Sequence, residues 1–209
     1  MSSDQARVFI IDDESDVRAA LSMLIRSIGL EVETFSNALE FLVSYRPQWS
    51  GCIVADIRMP GMSGLELQEK LNAMGADMPL IFISGHADVP TAVRAIQEGA
   101  LDLLEKPFSD QRLLDKVQSA VRRDLERRAE IEVRGQLRQR YAALTPRERE
   151  VMTAVVAGKM NKVTAHELNL STRTVELHRA NVMEKMQAGS LAELVRLAQM
   201  LELDESGPA

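Results

Sequence analysis

Five short apolar runs, beginning near Val8, Val32, Cys52, Leu80 and Leu101, are separated by amphipathic stretches of helical period. That alternation narrows the possible folds sharply. Near-continuous apolar strands are buried on both faces, and a parallel sheet covered by helices on each side provides that burial. The intervening stretches, around 15–28, 36–45, 63–74, 90–98 and 109 onward, have the length of crossover helices. Gly29, Gly75 and Gly99 follow helical patterns as C′ glycines do. Ser63 with Glu66 reads as a capping box, and Pro90 and Ser109 as helix-start residues. Right-handed βαβ units follow, so residues 5–121 are expected to form an α/β domain with a five-stranded doubly wound parallel sheet.

The remainder reads differently. Residues 122–142 are a charge run, with seven basic residues against four acidic ones. The apolar stripe of Leu114, Val117, Val121 and Leu125 thins through this run, and Gly135 interrupts it. A solvated linker helix and a coiled-coil surface are equally open readings, and contact of its basic residues with phosphates is a third. Residues 143–203 carry helix signals and no strand signals. Thr145, Pro146 and Glu148 make a capping box with proline at N1, further helices fit 161–168, 171–186 and 190–201, and Ser190 with Glu193 opens the last. The tail from Asp204 to Ala209 is expected to fray.

Charge and cysteine usage exclude several classes. The net charge of −6 hides a division: −8 over residues 1–121, +3 over 122–142 and −1 over 143–209, with +2 over 143–190. The two ends of the chain therefore face different partners. The run Val8–Ile11 is far too short for a signal peptide or membrane span. Cys52 is the only cysteine, so no internal disulfide forms, and a small buried hydrophobe in a reducing cytoplasm is its expected role.

In a doubly wound sheet, ligands bind at the carboxyl ends of strands where strand order reverses. Here those ends carry Asp12 and Asp13, Asp56, Ser84 and Lys106. Any one of them alone reads as a solvated loop residue. Three carboxylates, a hydroxyl and an amine at one edge point instead to a site. Converging carboxylates repel and call for a hard cation such as Mg²⁺, which is typically held by one or two carboxylates with waters and a phosphate oxygen. Beside such an ion a free carboxylate can attack a phosphoryl group, while Lys106 and Ser84 contact its oxygens.

These residues, with the run DIRMPGMSG from Asp56, SGH from Ser84 and KPF from Lys106, resemble the signature of receiver domains. The resemblance implies a flavodoxin-like fold and phosphorylation of Asp56 by a sensor histidine kinase. It also implies Mg²⁺ bound by Asp13, Asp56 and the Arg58 backbone carbonyl, with Asp12 acting through water, and a cis Lys106–Pro107 bond. Many receivers carry a Tyr or Phe on the fifth strand that turns inward on activation. Leu103 stands at that place, so the readout is expected to rely on Ser84 and backbone movement. His86 is expected to contact the fourth helix, with a role in phosphoryl hydrolysis as the weaker alternative.

Along the helix at 171–186, Val175, Val182 and Met186 share one face, and Arg173, Glu176, Leu177, Ala180 and Glu184 lie opposite. Periodicity alone would make it an ordinary core helix. The runs LTPREREVM from Leu144 and TVELHRANVMEKM from Thr174, with Asn161 and Lys162 between them, resemble the DNA-binding domain of LuxR-type regulators. Together the two parts resemble the FixJ branch of the NarL/FixJ response regulators. The resemblance implies a helix-turn-helix whose second helix enters the major groove. Arg173 could then pair with guanine and Glu176 accept from cytosine, with Thr174, Leu177, His178, Ala180 and Asn181 along the same interface. Lys162, Arg179 and Lys185 would hold phosphates. Promoter DNA, RNA polymerase and a second copy of the chain are the further partners implied. The apolar set Val89, Ala92, Val93 and Ile96 is the expected dimer surface.

Two rivals differ in class. Haloacid-dehalogenase-type phosphohydrolases also use an aspartate nucleophile, but after the first strand, whereas the candidate here follows the third. The other rival, a protein-interaction module, would show no salt-dependent binding to promoter DNA. The chain is expected to be no conventional enzyme, beyond catalysing its own phosphorylation from phosphodonors and slow dephosphorylation.

Overall fold

The computed structural model describes residues 6–85 and 89–205, and divides into two units, Met1–Arg128 and Ala129–Ala209. In the first, strands β1 (Arg7–Ile11), β2 (Glu31–Phe35), β3 (Gly51–Asp56), β4 (Leu80–Ser84) and β5 (Asp102–Glu105) pair in the order β2-β1-β3-β4-β5, all parallel. Alternating side chains point to opposite faces. Phe9, Ile11, Ile53, Ala55, Leu80 and Phe82 face one core, closed by α2 (Ala38–Ser44), α3 (Gly64–Ala73) and α4 (Val89–Gln97) through Phe41, Leu67 and Ala95. Val8, Ile10, Cys52, Val54, Ile81 and Ile83 face the other, closed by α1 (Ser15–Arg26) and α5 (Asp110–Ala142) through Ile25, Leu113 and Val117. Cys52 lies fully buried there, and burial pushes its thiol well above the usual range.

Local signals explain the element ends. The Ser63 box closes as expected, with Ser63 Oγ accepting from the Glu66 N–H and the Glu66 carboxylate accepting from the Ser63 N–H. Gly51 is required by contact as well as by conformation. Its φ is 130°, and a Cβ there would lie 1.8 Å from the Arg7 carbonyl oxygen. Helix α5 runs on through Gly135 to Ala142 without a break, so the charge run at 122–142 is helical throughout. One glycine costs about 1 kcal/mol against alanine in a helix, too little to end a stretch rich in Arg, Glu and Leu.

The second unit packs α6 (Pro146–Val156), α7 (Asn161–Leu168), α8 (Thr172–Met186) and α9 (Leu191–Glu205) around Val151, Val155, Val175, Val182, Met186 and Leu194. Leu137 and Tyr141, from the end of α5, join this core. The Thr145 box with Pro146 at N1 forms as expected. At α9 the Glu193 N–H donates to Ser190 Oγ, but its carboxylate accepts from the Gly189 N–H, one residue before the expected partner. The last helix reaches Glu205, past the expected end near 201 and into the stretch expected to fray.

Candidate functional site

Strand order reverses between β1 and β3, and Asp12 and Asp56 stand at the carboxyl ends of those two strands. Lys106, just past β5, joins them, its Nζ 3.5 Å from both Asp12 Oδ2 and Asp56 Oδ1. At that length the ammonium is a shared counter-ion more than a directed hydrogen-bond donor. Asp12 is buried, its Oδ1 accepting from the Glu14 N–H at 2.8 Å, while its carbonyl accepts from Arg18 Nη1 at 2.7 Å. Asp56 is half-buried, and its Oδ2 accepts from the Arg58 N–H at 2.7 Å. Burial raises its carboxyl above the ordinary range, only partly opposed by the Arg58 N–H and Lys106.

Ser84 is buried at the end of β4, and its carbonyl accepts from the Lys106 N–H at 2.8 Å. The Lys106–Pro107 bond is cis. Leu103 is half-buried against the core of the α2–α4 face. His86 lies outside the described residues. The donors offered by Asp12, Asp13 and Asp56 are all oxygen, as a hard divalent cation requires. Among the described residues no three His, Cys, Asp or Glu groups are gathered to hold a metal. Asp13 is exposed. One or two carboxylates with a carbonyl suffice for Mg²⁺ when waters and a phosphate complete its shell, so the residues fit that ion. Gly64 escaped notice except as part of a motif. A Cβ there would lie 2.5 Å from the Asp56 carbonyl oxygen, so the absence of a side chain lets α3 start hard against the end of β3.

In the second unit, α8 is opened by Ser171, which accepts from the Thr174 N–H at 3.1 Å and shares a 2.7 Å hydrogen bond with the Thr174 hydroxyl. Asn169, with φ 53°, makes the turn from α7. Val175, Val182 and Met186 are buried, while Arg173, Glu176, Leu177 and Ala180 are exposed, Leu177 at 61%. Lys162 is exposed on α7, and His178, Asn181 and Arg179 are half-buried, Arg179 donating to Asn161 Oδ1 at 3.2 Å. Lys185 stands apart from the other candidate phosphate contacts. Its Nζ lies 2.7 Å from the buried Glu148 carboxylate and 3.4 Å from the Ala143 carbonyl oxygen. The ion pair with Lys185, aided by the Thr145 N–H, holds Glu148 down at about 2. The helix register set Lys185 on the polar flank but gave no sign of this partner 37 residues away in sequence. On α4, Val89, Val93 and Ile96 are exposed at 75%, 47% and 47%, and Ala92 is half-buried.

A carboxylate edge with a lysine on a doubly wound sheet, followed by a helix-turn-helix, defines a class of signalling proteins. The family described as response regulator receiver domain matches residues 8–118, and the family of bacterial regulatory proteins, luxR family, matches residues 142–198. The chain is 45% identical over 200 residues to Nodulation protein W of Bradyrhizobium diazoefficiens, covering 96% of this chain and 88% of that protein. It is 48% identical over 191 residues to the transcriptional regulatory protein FixJ of Azorhizobium caulinodans, covering 91% and 90%. Among solved structures, the response regulator StyR matches with a TM-score of 0.88 at 46% identity, over 93% of this chain and 98% of that one. Full-length FixJ from B. japonicum matches with a TM-score of 0.60 at 42% identity, over 96% and 99%. The chain belongs to the two-component response regulators that join a receiver to a LuxR-type DNA-binding domain, and it is a transcriptional regulator of that kind.

Proposed function

We propose that Asp56 is the phosphoacceptor, charged by a sensor histidine kinase or by small phosphodonors, and that its phosphorylation promotes dimerisation and promoter binding. The carrying observation is the half-buried Asp56 carboxylate at the strand-order reversal, facing Lys106 with Asp12 alongside. A carboxylate short of water is a better nucleophile than a hydrated one, and the lysine stabilises charge on the arriving group. Asp13, Asp56 and the Arg58 carbonyl would hold Mg²⁺, with Asp12 through water; when bound, the ion neutralises charge on the transferred phosphoryl group. Ser84 and Lys106 then contact the phosphoryl oxygens.

With a leucine at 103, the readout runs through Ser84 and the backbone it shares with Lys106. Val89, Ala92, Val93 and Ile96 form the dimer surface. In the second domain Arg173 and Glu176 read bases, beside Thr174, Leu177, His178, Ala180 and Asn181, while Lys162 and Arg179 hold phosphates. Lys185 reaches a phosphate only by loosening its hold on Glu148. The working division is receiver 5–121, helical linker 122–142 and DNA-binding domain 143–203, acting in the cytoplasm with RNA polymerase as a further partner.

The test is incubation with acetyl phosphate and Mg²⁺, followed by reductive trapping of the acyl phosphate. Label is expected on the native chain, to fall with EDTA or Asp13→Asn, and to vanish in Asp56→Asn. Undiminished labelling of Asp56→Asn refutes the assignment.

A further inference from the structure

The loop between β1 and α1 is three residues long, Asp12 to Glu14, and brings two of the carboxylates to the edge of the sheet. Asp12 is fixed at each of its polar groups. Its N–H donates to the Phe35 carbonyl oxygen at 3.3 Å, and its Oδ1 accepts from the Glu14 N–H at 2.8 Å. Its Oδ2 faces Lys106, and its carbonyl oxygen accepts from Arg18 Nη1 at 2.7 Å. Asp13 is held differently. It is exposed, and its carboxylate makes no hydrogen bond or ion pair among the described residues. Its direction is therefore set by its backbone, and the peptide plane that carries its N–H also carries the Asp12 carbonyl. Arg18 grips that plane with a charge-assisted bond.

The helix places Arg18 for this task. Side chains on a helix lean toward its amino end, so from one turn into α1 the guanidinium comes back over the first turn to the loop. Glu14, the N-cap residue, makes no side-chain bond to the helix start, and Arg18 supplies a side-chain link between helix and loop instead. A guanidinium beside a cation site repels the cation, and Glu40 at the start of α2 offsets part of that charge. The Glu40 carboxyl is held below its ordinary range by the Ser36 hydroxyl and N–H, with Arg18 adding a smaller effect. Since its charge opposes a cation, what Arg18 can contribute to one is the bond to the backbone. We propose that Arg18 is a positioning residue for the divalent cation: by fixing the Asp12–Asp13 peptide it aims the Asp13 carboxylate, touching neither the ion nor the phosphoryl group. This rests on Asp13 belonging to the Mg²⁺ site, which the native chain tests separately.

The experiment titrates the full unphosphorylated chain with MgCl₂, without phosphodonor, and follows the amide NMR signals of Asp13, Asp56 and Arg58. Arg18→Met keeps the apolar stem and removes the donor, while Arg18→Lys keeps a donor and the charge. Charge and position predict opposite signs. Removing a positive charge by itself tightens Mg²⁺, whereas releasing the peptide weakens it. Arg18→Met is expected to weaken Mg²⁺ roughly tenfold, the lower end of what losing the support of a metal ligand costs, and Arg18→Lys by less. In labelling by acetyl phosphate, the Mg²⁺ concentration at half-maximal rate should rise by the same factor in Arg18→Met, with the maximal rate kept within about twofold. Signals from β1 and β3 report that each variant is folded. Mg²⁺ binding by Arg18→Met as tight as native or tighter overturns the proposal, as does weaker binding by Arg18→Lys than by Arg18→Met. A fall in maximal rate with Mg²⁺ affinity unchanged also overturns it, assigning the guanidinium to the phosphodonor. No saturable shift in the native chain overturns the metal site itself, and the role of Arg18 with it.

Discussion

Glu148 accepts from Lys185 at 2.7 Å and from the Thr145 N–H at 2.8 Å, and its carboxylate is sealed from water. It serves both as the capping-box acid of α6 and as the anchor of α8. Its titration has a definite sign. The folded value, about 2, lies below the ordinary 4.5, so the stabilisation is complete above pH 4.5 and is lost as pH falls toward 2. The Lys185 side chain is 37% exposed, which screens the pair and limits its contribution to about 2 kcal/mol. Glu148→Gln should lower the stability of the second unit by that amount at neutral pH and flatten its acid dependence between pH 4.5 and 2. Thermal melts followed by NMR signals of α6 and α8 across that range check this; an unchanged acid limb would show that Glu148 is not the titrating group. The contrast with Asp56 marks what a sequence displays at this scale. Asp12, Asp56 and Ser84 were legible because each ends an apolar run and Lys106 because it follows the fifth strand, and a parallel sheet brings such ends to one edge. Glu148–Lys185 and the hold of Arg18 on Asp12 were not, since no periodicity encodes a contact between different helices or across a loop.

Helix starts and stops follow local chemistry, and most were visible as such. Ser63, Thr145 and Ser171 all cap the helices they precede. Two places carry no such local signal. Gln187 ends α8 with φ 54°, a left-handed conformation that glycine adopts without strain. Gln187→Gly should therefore stabilise the second unit by about 0.5–1 kcal/mol, read from its urea midpoint, the relief of left-handed strain exceeding glycine's extra freedom in the unfolded chain. A zero or negative change would mean that this freedom dominates. The passage of α5 through its charge run has a tertiary cause. Asp124, fully buried, accepts from the Gly51 N–H at 2.9 Å and from Arg127 and Arg128 at 2.6 and 2.8 Å, while Arg128 also donates to the Trp49 carbonyl oxygen. What looked in sequence like the start of a solvated charge run is here a clamp fixing α5 to the amino end of β3. Asp124→Ala would leave an N–H and two guanidinium groups short of a partner, at a cost of about 2–3 kcal/mol, below the usual figure for fully buried pairs because both arginines reach solvent. Urea unfolding followed by Trp49, the only tryptophan, should show the loss; an unchanged midpoint would remove the clamp from the account.

The whole molecule combines an acidic domain with a second domain whose charge is nearly balanced, and that shapes how it can bind DNA. Affinity from phosphate contacts scales with the number of cations engaged, and α7 and α8 offer few: Lys162, Arg173 and Arg179, with Lys185 already paired to Glu148. A single copy should therefore bind weakly, and two copies on one site should bind much more tightly through effective concentration. Phosphorylation needs to supply only a coupling of about 1–3 kcal/mol, roughly 5–150-fold, to move such a pair between unbound and bound. On the proposed dimer surface, Val93 and Ile96, both exposed on α4, can be changed without touching Asp56. In the double variant Val93→Asp, Ile96→Asp, labelling of Asp56 by acetyl phosphate should be unchanged, while sedimentation should show a monomer and promoter affinity should lose its dependence on phosphorylation. Half-sites selected from random DNA by the native phosphorylated chain should lie about 34–36 Å apart or at a multiple of that spacing. Lys162→Ala should weaken all sequences alike and reduce the salt slope by about one unit, whereas Arg173→Ala should relax preference at one base pair by about 1–3 kcal/mol. If the double variant still binds its promoter more tightly when phosphorylated, the dimer surface lies elsewhere, and the receiver acts on the second domain within one chain.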